Sequence, residues 1–277
     1  MQGAVRGELI DFRVSTNDFG LRDAPVGPKR GLRILALGNS CTFGVGVEGE
    51  DSFPEQLENL IGQSVPQGVE VLNAGTPGYT AFQGRRFLER IGDDLDPDLV
   101  IVSFGFNDSD VWSSRTDRET AAAFEPAGWR KWARRSAFYR LLAAALPRRG
   151  GDAVPGGAAG SGGAQIPRLM PEEFYNEMTA IAGWAKDRGK TALFLVWPYR
   201  KQVTENRPEP IIYQPLILKV AADTGSPAID LIDAMIVAGE QMESPEALFV
   251  DHIHGSPQGC RVVATAIADL LARARVR

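Results

Sequence analysis

Residues 34–46, ILALGNSCTFGVG, decide the fold. The four apolar residues 34–37 run directly into Gly38, the pattern of a buried strand that stops at a glycine and exposes the side chains after it. Ser40 is therefore expected at the carboxyl end of a strand, where open α/β sheets place their sites. The nearby glycines let the backbone turn tightly and aim N–H groups at a negative charge. The stretch predicts a nucleophile or a phosphate site, with an ordinary turn serine as the alternative. The phosphate site is the weaker of these, because no Gly-Lys-Ser/Thr sequence follows as in a P-loop.

The composition is that of a soluble globular protein. The chain has 277 residues, 44% of them apolar, and a formal net charge of −5. The negative charge argues against a nucleic-acid partner, and the only basic run with interleaved aromatic residues is a short one near residues 130–135. Cys41 and Cys260 are the only cysteines, so neither a disulfide framework nor a Cys/His metal site is predicted.

The start of the chain leaves its compartment undetermined. No run of about 18 apolar residues predicts a membrane span. The first residues, MQGAVRGELIDF, lack the apolar core of a signal peptide. Residues 12–21 resemble an edge strand and turn without a beginning of their own. The sequence is thus expected to be soluble as given, and it is compatible with a fragment of an exported or membrane-anchored protein whose start is truncated.

Apolar runs and helical stripes alternate along the rest of the chain. Further strands are predicted at 69–74, 99–104, 191–197 and 228–231, and helices at 80–95, 171–186, 211–222 and 256–273. A Ser-x-x-Glu capping box at residues 52–55 predicts the start of one more helix, after the first strand. Short strands separated by helices cannot pair as hairpins, so a five-stranded parallel sheet covered on both faces follows. We expect a single α/β domain over residues 1–277.

One insertion interrupts this alternation after the third strand. Residues 110–146 are rich in Trp, Arg and Ala, and residues 138–146 predict an amphipathic helix. Residues 147–165 have the composition of a flexible glycine-rich loop. We expect residues 110–146 to cap the site, because they leave the sheet beside it. Their aromatic side chains would contact substrate there, with packing on the core as the alternative; they are Trp112, Trp129, Trp132, Phe138 and Tyr139.

Three further stretches follow strands or precede the last helix, so they are expected near Ser40. They read Asn73-Ala-Gly-Thr-Pro-Gly78, Gly105-Phe-Asn107-Asp108 and Asp251-His-Ile-His254. An ordinary turn is the alternative for the first stretch, and a helix start or turn is the alternative for the second, whose Asn107 could otherwise bind an oxyanion. A serine nucleophile needs a base near neutral pKa and a carboxylate that orients it, and Asp251 and His254 can supply both. Metal binding or a simple turn is the alternative for the paired histidines, but a metal would want more ligands than this spacing offers.

These four stretches, in this order, resemble the blocks of the SGNH or GDSL-like hydrolase family. The resemblance implies a three-layer fold with flavodoxin-like strand order 2-1-3-4-5. It implies Ser40 as nucleophile, His254 as base and Asp251 as its carboxylate. It also implies an oxyanion hole formed by the N–H groups of Ser40 and Gly78 and by the Asn107 amide. His252 falls at a variable position and is given no role.

Position 39 departs from the family, which usually has Asp where this chain has Asn39. An amide trades one acceptor oxygen for a donor, so we expect a local backbone hydrogen bond to be lost and the electrostatics of the loop to be altered. Trp112, Trp197 and Tyr199 are the residues predicted to contact substrate.

The function predicted from these residues is a serine esterase acting on small or medium acyl esters, either acetylated carbohydrate or lipid-like. Neither a metal nor an organic cofactor is expected, and the partner is a small-molecule ester. An O-acyltransferase with the same triad is one alternative. A non-catalytic carbohydrate-binding or scaffold module is the other. The sequence leaves the oligomeric state open.

Overall fold

The residues singled out by the sequence are carried by a five-stranded parallel sheet. The computed structural model describes residues 2–5, 8–62, 64–65, 67–124, 164–205 and 212–275. The strands are β1 (Gln2–Val5), β2 (Glu8–Asp11), β3 (Leu32–Gly38), β4 (Val69–Gly75), β5 (Leu99–Ser103), β6 (Val111–Ser113), β7 (Ile166–Pro167), β8 (Thr191–Val196) and β9 (Ala228–Asp230). The helices are α1 (Ser40–Phe43), α2 (Phe53–Gly62), α3 (Ala81–Leu95), α4 (Phe106–Ser109), α5 (Asp117–Phe124), α6 (Pro171–Asp187), α7 (Arg200–Thr204), α8 (Tyr213–Thr224), α9 (Leu231–Gly239) and α10 (Pro257–Arg275).

The strand order of the sheet is β4, β3, β5, β8, β9, and all neighbouring strands are parallel. Counted along the chain within this sheet, the order is 2-1-3-4-5, so the predicted topology is confirmed. In the register, Gly38 at the end of β3 lies opposite Gly75 of β4 and Ser103 of β5. The carboxyl ends of these three strands therefore meet at one edge of the sheet.

The sheet lies between two layers of helices, as predicted. Side chains along a strand point alternately to opposite faces. Leu35 and Leu37 accordingly pack with α3, α6 and α8, whereas Ile34 and Ala36 pack with α2, α9 and α10. Because both faces of β3 are buried, its residues 34–37 form a continuous apolar run rather than an alternating pattern.

The helix after β3 begins differently from the prediction. Both the N–H and the hydroxyl of Ser52 donate to the carbonyl oxygen of Gly49, at 3.1 and 2.7 Å. The reciprocal bonds of a capping box between Ser52 and Glu55 are therefore not formed. A short 3₁₀ turn at Gly49–Asp51 precedes α2 and accepts these donors instead.

The segment before the sheet also differs from the prediction. Residues 12–21 contain the predicted turn, at residues 18–19, but no paired strand, so the predicted edge strand is wrong. The following residues cover the free edge of β4 instead. The Arg22 N–H donates to the carbonyl oxygen of Asn73 (3.1 Å), and Asp23 Oδ2 accepts from the Asn73 N–H (3.0 Å). Phe12 and Leu21 are buried, so this segment packs against the fold rather than lying free.

The insertion after β5 leaves and returns through a small strand pair. Strand β6 pairs antiparallel with β7, and α5 follows β6. The predicted amphipathic helix at 138–146, the aromatic residues of 129–139 and most of the glycine-rich loop lie outside the described residues. Across the ranges given above, no helix combines the length and apolarity that crossing a membrane requires.

Candidate active site

Ser40 begins α1, a single helical turn that follows β3. The Oδ1 of Asn39 accepts from the Cys41 N–H at 3.0 Å and caps this turn. The turn lies directly on the end of β4: a Cβ at Gly75 would stand 2.1 Å from the Phe43 nitrogen. Only glycine therefore permits this approach. The close packing brings Ser40 to the edge where β3, β4 and β5 end.

The loop before α10 presents Asp251 and His254 on a tight turn. Asp251 Oδ1 accepts from the backbone N–H groups of Ile253 and His254, both at 2.8 Å. Phe249 and Gly255 form an antiparallel bridge that closes the base of the loop. These bonds fix the carboxylate and the imidazole in relation to each other, which the spacing Asp-x-x-His makes possible.

Ser40, His254 and Asp251 form one continuous chain of hydrogen bonds. The Ser40 Oγ lies 2.8 Å from His254 Nε2, and His254 Nδ1 lies 2.6 Å from Asp251 Oδ2. Burial by itself raises the pKa of Asp251, but the bonds from the His254 ring and from two backbone N–H groups outweigh it and hold that pKa well below its usual value. Asp251 is thus a carboxylate at neutral pH, and it accepts the Nδ1 proton. His254 Nε2 is then free to accept the Ser40 proton.

Two further N–H donors lie in the segments that follow β4 and β5. Residues 76–79, Thr-Pro-Gly-Tyr, make a tight turn in which the Tyr79 N–H donates to the Thr76 carbonyl (3.1 Å) and Gly78 has φ +80°. Proline second and glycine third is the sequence that a type II turn requires. The Asn107 amide donates to the Tyr79 carbonyl at 2.9 Å, so one of its two N–H bonds remains. Among the described residues, neither the Ser40 N–H nor the Gly78 N–H has a protein acceptor.

A buried carboxylate, that of Asp108, joins the two segments that carry these donors. Asp108 is fully buried; its Oδ1 accepts from the Ala81 N–H (2.7 Å) and its Oδ2 from the Gly105 N–H (2.8 Å). One side chain therefore joins the loop after β5 to the start of α3, on either side of the Tyr79–Asn107 contact. Burial raises the pKa of Asp108 to about 7, although the two N–H groups and the charge of Arg168 oppose that rise.

Comparison with known protein families assigns this chain. A model of the GDSL-like Lipase/Acylhydrolase family matches residues 36–262, a span that contains all four predicted blocks. The chain belongs to this family. It is accordingly an SGNH/GDSL-type serine hydrolase that acts on ester bonds. Among curated proteins, no sequence matches this family member.

Solved structures share the fold of this family member at low sequence identity. A lipase/acylhydrolase from Enterococcus faecalis has 17% identity and a TM-score of 0.55, covering 87% of this chain and 95% of its own. The acetyl xylan esterase AlAXEase has 16% identity and a TM-score of 0.57, covering 86% and 99%. Axe2, an acetylxylan esterase from Geobacillus stearothermophilus, has 18% identity and a TM-score of 0.52, covering 86% and 94%. At these identities the likeness concerns the fold alone.

Of the two consequences expected from Asn39 in this family member, the lost hydrogen bond is contradicted by the structure. The backbone hydrogen bond that we expected to be lost is present. The amide oxygen of Asn39 accepts it from the Cys41 N–H, as a carboxylate oxygen would. The expected loss was therefore wrong. What changes is charge, since position 39 is almost fully buried and carries a neutral side chain.

The three residues predicted to contact substrate occupy different environments. Trp197 is buried, and its indole N–H donates to the Ile253 carbonyl at 2.8 Å, so this position favours support of the Asp251–His254 loop over substrate contact. Tyr199 is half-buried, and its ring lies 5.5 Å from that of Phe106. Trp112 is 64% exposed on β6.

Sequence reasoning missed two residues that border the site. His252 was given no role, yet its exposed ring lies 5.5 Å from the Phe106 ring, beside Asn107. Arg168 follows β7 and is buried; it donates to the Gly78 carbonyl (2.7 Å) and to both carboxylate oxygens of Asp117. Its position directly after the glycine-rich loop was the only available signal, and it carried no motif.

The described residues offer no cluster of three or more His, Cys, Asp or Glu side chains that could hold a metal ion. Both cysteines are buried and unpaired. The polar groups gathered at this edge are suited to proton transfer and to hydrogen bonding of an oxyanion.

Proposed function

We propose that this family member hydrolyses small or medium acyl esters through Ser40 as nucleophile, His254 as general base and Asp251 as the carboxylate that orients it. The observation that carries the proposal is the hydrogen-bonded chain Ser40–His254–Asp251, with distances of 2.8 and 2.6 Å. A serine hydroxyl is a weak nucleophile unless an adjacent base removes its proton, and this arrangement meets that requirement.

The proposed reaction proceeds in two halves. Ser40 Oγ attacks the ester carbonyl carbon while His254 Nε2 takes its proton, and Asp251 stabilises the imidazolium that forms. The tetrahedral intermediate collapses, and His254 gives the proton to the departing alcohol, which leaves Ser40 acylated. Water then attacks the acyl group as His254 takes its proton. The acid departs and the proton returns to Ser40.

The negative oxygen of each tetrahedral intermediate needs donors placed in advance. We assign this role to the N–H groups of Ser40 and Gly78 and to the remaining N–H of the Asn107 amide. Two observations support this assignment: these N–H groups have no protein acceptor among the described residues, and hydrogen bonds fix the groups beside them. Arg168 holds the Gly78 carbonyl, and Tyr79 holds the Asn107 amide.

For the substrate, we propose an acetylated carbohydrate or a lipid-like ester that contacts aromatic side chains at the rim. Phe106, Tyr199 and His252 form a row of rings beside Asn107, and Trp112 presents its ring to solvent. Aromatic faces stack on sugars and shelter acyl chains equally well. Two of the structures that share this fold belong to enzymes described as acetylxylan esterases.

The test is hydrolysis of p-nitrophenyl acetate without any added acceptor alcohol, so that turnover reports hydrolysis rather than acyl transfer. Ser40→Ala and His254→Ala should each lower kcat by about 10⁴-fold or more, as loss of a triad member does elsewhere. Their denaturation midpoints should stay close to the wild-type value.

His252→Ala is the matched control, because it removes an imidazole two residues away without breaking the hydrogen-bonded chain. It should keep kcat within about tenfold of wild type. Mapping of a fluorophosphonate label should find it on Ser40. A Ser40→Ala variant with activity within tenfold of wild type, or a label on another residue, would refute the assignment.

A further inference from the structure

The guanidinium group of Arg22 is buried behind the turn that carries Ser40. Only 7% of Arg22 is exposed. One terminal nitrogen donates to the carbonyl oxygens of Phe43 (2.8 Å) and Gly44 (2.7 Å), and the other donates to that of Val47 (2.8 Å) and to one carbonyl of its own segment (3.0 Å). All four acceptors are backbone oxygens. Three of them belong to the chain that directly follows Ser40.

Helix α1 needs such a partner. It is a single turn, and one turn has too few internal hydrogen bonds to be stable alone. The last carbonyl groups of any helix also lack partners within it. Here the Ser40 carbonyl accepts from the N–H groups of Gly44 and Val45, whereas those of Phe43 and Gly44 accept from Arg22. A cation at this end is favoured by the helix dipole as well.

The fit around the guanidinium leaves little room for α1 to move. The rings of Phe12 and Phe43 lie 5.4 and 4.8 Å from the guanidinium carbon, within the range of cation–π contacts. A Cβ at Gly44 would stand 3.1 Å from an Arg22 nitrogen and 2.9 Å from the Ser52 Cβ. The positive φ of Gly44, +82°, adds a second reason for glycine there.

Arg22 is itself held in place by the segment before the sheet. Its backbone N–H is bonded to Asn73 on the edge of β4. The preceding turn is organised by Asn17, whose Oδ1 accepts from the N–H groups of Phe19 (3.0 Å) and Leu21 (3.2 Å). Arg22 therefore links a fixed turn on one side to the Ser40 turn on the other.

We propose that Arg22 is a positioning residue that holds α1 so that the Ser40 hydroxyl and N–H keep their places relative to His254 and the substrate carbonyl. The proposal rests on the proposed function of Ser40. Arg22 lies before residues 36–262, the span that matches the family. Displacement of α1 moves the nucleophile and an oxyanion donor together, and a misplacement of about 1 Å in an active site can cost about 100-fold in rate.

The experiment compares Arg22→Lys with Arg33→Lys. Lysine keeps the charge but cannot reproduce several bonds from one planar group. Arg33 is a matched control, since it is 4% exposed and also donates to two backbone carbonyls, of Leu95 and Gly27. It lies at the other end of β3, away from Ser40. Activity on p-nitrophenyl acetate and the rate of fluorophosphonate labelling are measured at a temperature where denaturation curves show each variant folded.

For Arg22→Lys we expect kcat and the labelling rate to fall together by about tenfold or more, with KM within about twofold of wild type. Arg33→Lys should lower the denaturation midpoint and leave both rates of the folded protein within about twofold. A purely structural Arg22 would behave like Arg33, and that result would overturn the proposal.

A second variant applies if Arg22→Lys does not fold. Asn17→Ala loosens the turn that presents Arg22 without entering the core, and it should lower kcat in the same direction with KM unchanged. Wild-type kcat in folded Asn17→Ala would then overturn the proposal. Ser40→Ala is run in parallel: if it remains active or is labelled, the proposed function has failed, whereas an inert Ser40→Ala with unaffected Arg22 and Asn17 variants rejects the role of Arg22 alone.

Discussion

At the scale of the residue, environment decides what each carboxylate does. Asp251 has hydrogen bonds from the His254 ring and from two backbone N–H groups, which outweigh its burial and lower its pKa. Asp108 lies deeper. The effect of its burial outweighs that of the hydrogen bonds it accepts from two backbone N–H groups, so its pKa rises to about 7. Asp251 is therefore suited to stabilise a positive imidazolium. Asp108 is suited to accept backbone hydrogen bonds that fix two segments of the chain.

The raised pKa of Asp108 predicts a pH-dependent stability. Its usual value, 3.8, applies in the unfolded chain. Between about pH 4 and 7 the folded state binds a proton that the unfolded state does not, so its contribution to the free energy of unfolding is lost as pH rises. We expect the stability of wild type relative to Asp108→Asn to fall across that window, as measured by urea unfolding at several pH values.

Asp94→Asn, on the exposed side of α3, controls for loss of a carboxylate as such. The difference in free energy of unfolding between wild type and Asp94→Asn should not fall in the same way between pH 4 and 7. A wild-type stability that stays constant, or increases, relative to Asp108→Asn between pH 4 and 7 would contradict the assignment.

At the scale of the element, the strand pair β6–β7 joins the insertion to the site. Arg168 follows β7, donates to the Gly78 carbonyl and lies beneath the Trp112 ring of β6, with its guanidinium carbon 4.5 Å from the ring centroid. The chain therefore enters the insertion, and returns to the fold after the glycine-rich loop, next to a proposed oxyanion donor. We propose that residues 110–146 cap the site and select the substrate, with Trp112 as their described contact point.

Replacing Trp112 by alanine should change which esters are preferred. Because the ring is 64% exposed, its loss should alter the free energy of unfolding by no more than about 0.5 kcal/mol. The kcat/KM values for p-nitrophenyl esters of increasing acyl length should then lose their wild-type dependence on chain length, since the aromatic contact is gone.

Val237→Ala is the control, an exposed apolar side chain on α9 away from the site. It should keep the wild-type profile. An unchanged profile in Trp112→Ala would speak against the cap. A uniform drop for all esters would instead assign the effect to Arg168 and Gly78.

At the scale of the whole molecule, the core extends beyond the span that matches the family. Leu21 is 1% exposed and packs in the same cluster as Leu35 and Leu37 of the central strand. The segment before β3 thus contributes to one face of the sheet as well as holding Arg22. We propose that residues 1–277 form a single domain, in which this segment is part of the packing unit.

If that is so, Leu21→Ala should destabilise the protein as much as a core substitution in the sheet. Large-to-small changes at fully buried leucines cost about 2–5 kcal/mol, and we expect Leu21→Ala and Leu35→Ala both to fall in that range. Chemical denaturation measures the difference. Leu218→Ala, at a position 41% exposed on α8, should cost less than about 0.5 kcal/mol. A Leu21→Ala variant that resembled Leu218→Ala would place the segment outside the core.

The sequence by itself determined the sheet and the residues at its edge. Apolar runs such as 34–37 mark strands buried on both faces, because helices cover both sides of a parallel sheet. The end of the strand at Gly38, and the position of Ser40 just after it, could be inferred because a glycine stops the apolar run. The turn at 76–79 was identifiable too, since proline and glycine restrict backbone angles locally. These inferences succeeded because they depend on neighbours in the chain.

Only the tertiary structure decided how distant groups meet. Ser40 and His254 are 214 positions apart, and their 2.8 Å contact depends on sheet register and helix packing, which no local pattern specifies. The burial of Trp197 has the same origin. The roles of Arg22 and Arg168 could not be predicted from the sequence for a further reason. Both side chains donate to backbone carbonyl oxygens. Because every residue carries a carbonyl, no residue type in the sequence identifies such an acceptor.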